Sequence, residues 1–183
     1  MIEPWTIVSS EMAFDHRWYQ VRRDIVRLPD GRIIDDYFVS VRPNVAIVVP
    51  VKPDGSVVLV RQYKHGIQKV TLEFPAGTLQ AEDPASGAAR ELEEETGHVP
   101  GELIKLGEYF DDSSKNSNLV HIFLARDCAP VGVQKLDDFE AAAGLEVVLM
   151  SLAEVADALD NGSIASMSSV AAGYRALRYL GSR

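Results

Sequence analysis

Residues 74–97 read Phe-Pro-Ala-Gly-Thr-Leu-Gln-Ala-Glu-Asp-Pro-Ala-Ser-Gly-Ala-Ala-Arg-Glu-Leu-Glu-Glu-Glu-Thr-Gly: a loop, a helix and a stop. Asp83 is a suitable N-cap, Pro84 suits the first helical turn because its missing N–H is an orphan there, and Gly97 is the usual left-handed terminator. The pattern predicts a helix over residues 84–96. At roughly 100° per residue, Glu91, Glu94 and Glu95 share one narrow arc while Glu93 falls on the far side. Ala85, Ala88, Ala89 and Leu92 fill the adjoining arc, so one side of the helix can be buried while an acidic side faces a cleft. Like charges at i, i+3 and i+4 repel, and Arg90 alone is not enough for three carboxylates. Oxygen ligands of this density suit Mg²⁺ or Mn²⁺, hard ions that bridge carboxylates to substrate phosphates. Taken alone, such a cluster is also what a solvated acidic helix face looks like.

Outward from the helix, residues 70–74 read as a short strand that pins the preceding loop at the end of a sheet. Residues 44–51 are apolar nearly throughout and suggest a strand buried on both faces. Pro53-Asp54-Gly55 turns that strand into residues 56–63, and the pair is expected to form a hairpin. Beyond Gly97, strands are expected at 102–110 and 119–125 around the polar loop 111–118. Residues 127–144 are mostly loop and carry Asp137, Asp138 and Glu140; a strand follows at 145–150. Ser151 and Glu154 make a capping box for a helix at 152–160 that stops at Asn161-Gly162, and a last helix spans about 165–180. The first 42 residues suggest strands at 5–8, 17–27 and 33–41, an antiparallel meander whose edges need covering by the rest of the chain or by a second subunit. The fold class is therefore α+β, a mixed sheet packed between helices with an N-terminal antiparallel β meander at 1–42 and the main domain at 43–183.

With 183 residues, 46% of them hydrophobic and 25% charged, the chain is long enough to bury a real core. Its formal charge of −9 leaves no basic stripe to displace counterions, which argues against nucleic acid and anionic membranes as partners. Polyphosphates remain open to it if metal ions supply the positive charge. A single cysteine, Cys128, excludes an internal disulfide and fits a reducing cytoplasm. Neither a basic start with an apolar run nor an 18-residue apolar stretch occurs, so a soluble cytoplasmic protein is expected.

Glu82, seven intervening residues, and then Arg90-Glu91-Leu92-x-Glu94-Glu95-x-Gly97 resemble the signature of the Nudix hydrolases. That resemblance implies an α/β/α sandwich and hydrolysis of the pyrophosphate of a nucleoside diphosphate linked to another group. It implies Mg²⁺ or Mn²⁺ held by Glu91, Glu94 and Glu95, with the carbonyl of Ala76 completing the shell. Arg90 would orient Glu94 by an i, i+4 pair, and Glu82 would be a structural partner or outer ligand. The strand at 57–65 is similar to the one preceding the box in the ADP-ribose and nucleotide-sugar branch, so Arg61 or Lys64 is expected to touch a phosphate. The meander also resembles that branch, which implies a homodimer through the N-terminal strands and places Trp18 and Tyr37 as candidates at the nucleoside.

Three departures stand beside the resemblance. Gly77 and Glu82 are separated by four residues rather than five; Ser113 and Ser114 occupy positions where the ADP-ribose branch usually has a proline; and the late acidic loop ends in alanines. Within that loop Glu140 is the candidate general base, Glu94 its competitor, and Glu146 is structural. The four histidines have no metal spacing and receive no function. The leading expectation is a pyrophosphatase acting on ADP-ribose or another nucleotide sugar. A dinucleotide pyrophosphatase, or a non-catalytic domain that binds such a metabolite as a sensor, is the alternative, and the complete glutamate set argues against the sensor.

Overall fold

A computed structural model describes residues 1–182. The chain divides into two compact units, one formed by Met1–Asn44 with Phe110–Leu119 and the other by Val45–Tyr109 with the described residues from Val120 onward.

In the first unit, β1 (Thr6–His16), β2 (Tyr19–Arg27) and β3 (Ile33–Val41) form a sheet in the order β1-β2-β3, with antiparallel pairing throughout. The strand expected at 5–8 is in fact eleven residues long, and the one expected from 17 begins at Tyr19. Ser9-Ser10-Glu11 carries no strand signal of its own, and β1 is exposed along its whole length. Its extent is set by its partner, through a register running from Thr6 opposite Arg27 to His16 opposite Tyr19. On β2 the buried Asp24 accepts hydrogen bonds from Arg22 Nε (2.8 Å), Arg22 Nη2 (2.9 Å) and Ser10 Oγ (2.6 Å). The Arg22 bonds in particular hold its carboxyl below the usual range. Residues 110–119 are fastened to β3, where Tyr37 Oη donates to Ser114 O (2.7 Å) and the Ser40 N–H to Lys115 O (2.7 Å).

The second unit runs β4 (Val45–Pro50), β5 (Ser56–Lys64), β6 (Lys69–Glu73), β7 (Ala76–Thr78), α1 (Pro84–Thr96), β8 (His98–Val99) and β9 (Glu102–Phe110). It continues with β10 (Leu119–Arg126), β11 (Ala129–Pro130), α2 (Asp138–Ala142), β12 (Glu146–Ser151), α3 (Leu152–Asp160) and α4 (Met167–Gly181). One sheet has the order β7-β4-β10-β9, mixed because β10 runs parallel and β7 antiparallel to β4; another has the order β12-β5-β6. The hairpin expected of β4 and β5 does not form. Its turn exists, with Gly55 at φ 83°, yet Val51 and Val57 make only an isolated bridge. Both edges of β4 are taken by β7 and β10 and both edges of β5 by β6 and β12, so the chain crosses from one sheet to the other instead of pairing on itself.

Alternation along β4 and β10 decides which helix covers which face. Ile47, Val49, Ile122 and Leu124 point into a core shared with Val57 and Leu59 of β5, Val155 and Leu159 of α3, and Ala172 and Ala176 of α4. Ala46, Val48, Phe123 and Ala125 point the other way, onto Ala88 and Leu92 of α1. A mixed sheet thus lies between α1 on one face and the second sheet with α3 and α4 on the other. The expected loop at 127–144 contains the short α2, whose last turn is supplied by the alanines of the late loop.

Candidate active site

α1 has the caps its sequence demands. The Asp83 carboxylate accepts from the N–H groups of Ala85 (3.0 Å) and Ser86 (3.2 Å), and Gly97 sits in the left-handed region at φ 69° with its N–H on Glu93 O (2.8 Å). With Ala88 and Leu92 clamped against the sheet, Glu91 and Glu95 are carried to the boundary of the core and are buried, at 7% and 3% exposure. Burial pushes the Glu95 carboxyl up to about 8, only partly offset by the Ala76 N–H that it accepts at 3.1 Å. Glu91 is raised for the same reason, against the pull of Arg90.

Arg90 gathers several carboxylates of this surface. It donates to Glu82 Oε1 (2.7 Å) and Glu94 Oε2 (2.7 Å), and its Nη1 lies 2.8 Å from Glu91 Oε1. Glu82 therefore reaches the helix from the preceding loop, and the i, i+4 pair with Glu94 is present. Glu95 has no share in this cation. Gly77 lies under the Glu91 carboxylate so closely that a Cβ there would overlap it; only glycine leaves room for Glu91 to lie across β7.

Glu140 of α2 arrives from the late loop. Its carboxylate accepts the Asp137 N–H (2.8 Å) while Asp137 Oδ1 accepts the Glu140 N–H (2.8 Å), a capping box that orients the side chain. One carboxylate oxygen from each of Glu91, Glu95 and Glu140 lies within 4.8 Å of the others. An all-oxygen set in which burial raises two members above the usual carboxylate range has the composition of a site for a hard divalent cation. Two cavities flank it. One of about 460 Å³ is lined by Ala76, Glu95 and Glu140 together with Tyr63, Lys64 and Phe139; the other, about 390 Å³, by Gly77, Arg90, Glu91, Glu94, Lys135 and Glu140.

The NUDIX domain family matches residues 41–168, and the nucleoside diphosphate sugar hydrolase N-terminal domain family matches residues 5–40. The chain is a member of the Nudix hydrolase family. An ADP-ribose pyrophosphatase of Bacillus subtilis is 29% identical over 78% of this chain and 77% of its own length. A methanol dehydrogenase activator of Bacillus methanolicus is 30% identical over 76% of this chain and 71% of its own. A solved ADP compounds hydrolase superposes with a TM-score of 0.87, covering 100% of this chain and 97% of that one at 24% identity, and so shares the fold.

Of the remaining residues singled out in this Nudix sequence, Lys64 faces the cavity that contains Glu95 and is paired at 3.6 Å with Glu73. Arg61 points elsewhere. It pairs with Glu146 at 3.7 Å and lines a separate groove with Leu72, Met150 and Asp157. Trp18, under the Arg17 guanidinium at 5.0 Å, and Tyr37, edge-on to Trp5 at 5.9 Å, belong to the first unit. Ala76 lies beside Glu95 and donates its N–H to it. Among the histidines, His98 Nδ1 lies 2.9 Å from Thr96 O at the end of α1, and the buried His121 lies 3.5 Å from Glu108. No periodicity or motif marked Gln134 and Lys135, which hold the C-terminal end of α1: the Lys135 N–H donates to Glu94 O (2.7 Å) and Gln134 Nε2 to Glu95 O (2.6 Å). The unpaired carbonyls of a helix C-terminus were the available signal, but they do not say which distant residue will satisfy them.

No helix among the described residues is long and apolar enough to cross a membrane.

Proposed function

We propose that this chain is a Mg²⁺-dependent pyrophosphatase, able to use Mn²⁺, that hydrolyses the pyrophosphate bond of ADP-ribose or another nucleotide sugar. The observation that carries the reading is the convergence of Glu91, Glu95 and Glu140 within 4.8 Å beside two cavities. The names of two relatives, ADP-ribose pyrophosphatases of Bacillus subtilis and Mycobacterium tuberculosis, support the substrate class.

Glu91, Glu94 and Glu95 are the proposed metal carboxylates, with the Ala76 carbonyl beside them. A divalent ion held by these residues would neutralise pyrophosphate charge and would make a water more acidic. Glu140 is the proposed base, because its capping box orients its side chain and one of its carboxylate oxygens lies within 4.8 Å of those of Glu91 and Glu95. Water adds to one phosphorus, the bridging P–O bond breaks, and the bridging oxygen leaves on the other phosphate. One proton of the water passes to Glu140, and two phosphomonoesters result. Lys64 is the proposed phosphate contact; Arg61, in its separate groove, is the weaker candidate. Trp18 and Tyr37 are proposed for the nucleoside. We assign residues 1–42 as the layer for dimerisation and substrate, 43–183 as the hydrolase domain, and the cytoplasm as the location, the last supported by the single cysteine.

The test is to incubate the purified protein with Mg²⁺ and a panel of ADP-ribose, other nucleoside diphosphate sugars and dinucleotides, following phosphomonoester release. Turnover of ADP-ribose or a nucleotide sugar that EDTA abolishes is the expected result. Preference for a dinucleotide overturns the substrate assignment, and tight binding without release of any product overturns the catalytic one.

A further inference from the structure

The segment between β11 and α2 does more than connect them. Along residues 131–135 it supplies donors to the end of α1: the Val131 N–H to Gly97 O (2.8 Å), the Lys135 N–H to Glu94 O (2.7 Å) and Gln134 Nε2 to Glu95 O (2.6 Å). The same Gln134 nitrogen lies 3.4 Å from Leu145 O, on the far side of α2. The Leu145 N–H in turn donates to Glu140 O (3.2 Å). One amide thus closes the base of the loop 134–145 and ties it to α1. The resulting chain of bonds begins on the backbone of Glu95, passes through Gln134 and Leu145, and ends on the backbone of Glu140. Both of its ends carry carboxylates of the cluster.

We propose that Gln134 is a positioning residue that sets where Glu140 stands relative to Glu95, by pinning the α2 loop to the C-terminal turn of α1. This rests on the assignment of Glu140 as base made above. The chemistry is specific, since the task needs a donor that can serve two carbonyl oxygens. Neither a thioether nor a carboxylate can do this, whereas an ammonium can, and it is also favoured at the negative end of a helix. Gln134 is only half-buried on a surface segment, so its replacement is expected to leave the fold intact.

The experiment compares Gln134→Met and Gln134→Lys, each alone and combined with Glu140→Gln, on the panel substrate that is turned over fastest with Mg²⁺. Hydrogen exchange of the same proteins is measured without substrate. Gln134→Met should lower kcat 10- to 100-fold with little change in KM, since small misplacements of a reacting group cost that much. Gln134→Lys should restore most of the loss. In the Glu140→Gln background, Gln134→Met should cost almost nothing, because the two changes remove the same contribution. Exchange across residues 137–145 should rise in Gln134→Met while the middle of α1 stays protected. Wild-type protection across 137–145 overturns the pinning outright. A Glu140→Gln enzyme as fast as wild type overturns the base assignment and this proposal with it. A slow Glu140→Gln enzyme in which Gln134→Met costs the same factor as in wild type overturns the proposal alone.

Discussion

Glu95 sits where a carboxylate is least at ease, 3% exposed, with the Ala76 N–H on one oxygen and Arg90 turned to its neighbours. Its carboxyl, raised from 4.5 to about 8, is protonated in the metal-free fold at neutral pH and ionised in the unfolded chain. The unfolded state therefore binds fewer protons, and stability falls as pH rises. The contribution is fully present below pH 4.5 and is lost by the time the pH has passed about 8. In EDTA, wild-type Tm should decline between pH 5 and 8, and Glu95→Gln should flatten that decline. Saturating Mg²⁺ should do the same in wild type, since metal takes the ionised form and expels the proton. Glu95→Gln should also reduce kcat by orders of magnitude with the circular dichroism spectrum unchanged. An unaltered rate would remove Glu95 from the metal site. The spacing of Glu91, Glu94 and Glu95 was legible because helical geometry is local. The placement of Arg61 was not, since which way a strand-end cation leans depends on Glu146 of β12, far along the chain.

At the scale of elements, α1 stands almost as written. Its N-cap, first-turn proline, acidic arc and left-handed stop all follow from backbone chemistry within 15 residues. Asp83→Ala should cost about 1 kcal/mol by freeing the Ala85 and Ser86 N–H groups. That loss should appear as a Tm lower by roughly 2–4 °C at nearly unchanged kcat. A much larger fall in kcat would mean that the cap also sets the helix against β7. The β4–β5 hairpin misled because a strand, a Pro-Asp-Gly turn and a strand are necessary for a hairpin but do not reserve the strand edges. β7 and β10 claimed those edges from elsewhere in the sequence. α2 was hidden for a different reason: five residues are too few to show a helical period, and its capping box reads as one more acidic loop.

Taken whole, the protein leaves much apolar surface on its first unit, where Ile7, Val8, Met12, Phe14, Trp18 and Phe38 are all exposed. β1 is also an open edge of that sheet, whereas the end of β3 is fastened to residues 110–119. Sedimentation velocity at micromolar concentration should give a dimer, and Phe14→Glu combined with Val8→Glu should shift it to monomer; a monomeric wild type would remove the homodimer from the proposal. The sequence alone determined the acidic helix, the α+β class and the order of most strands. Those depend on hydrogen bonds and side-chain periods that close within a few residues, and the acidic arc needs only one turn of helix to assemble. The Arg90–Glu94 pair follows from helical spacing, whereas tertiary structure decided that Arg90 would also reach Glu82 and Glu91 and would make no ion pair with Glu95. It also decided that Glu140 would come within 4.8 Å of Glu91 and Glu95 from 45 residues away, on a loop that Gln134 bonds to the Glu95 carbonyl. The acidic arc of α1 thereby gains Glu140 of α2 beside Glu91 and Glu95, because packing brings residues distant in sequence to distances that helical spacing alone cannot set.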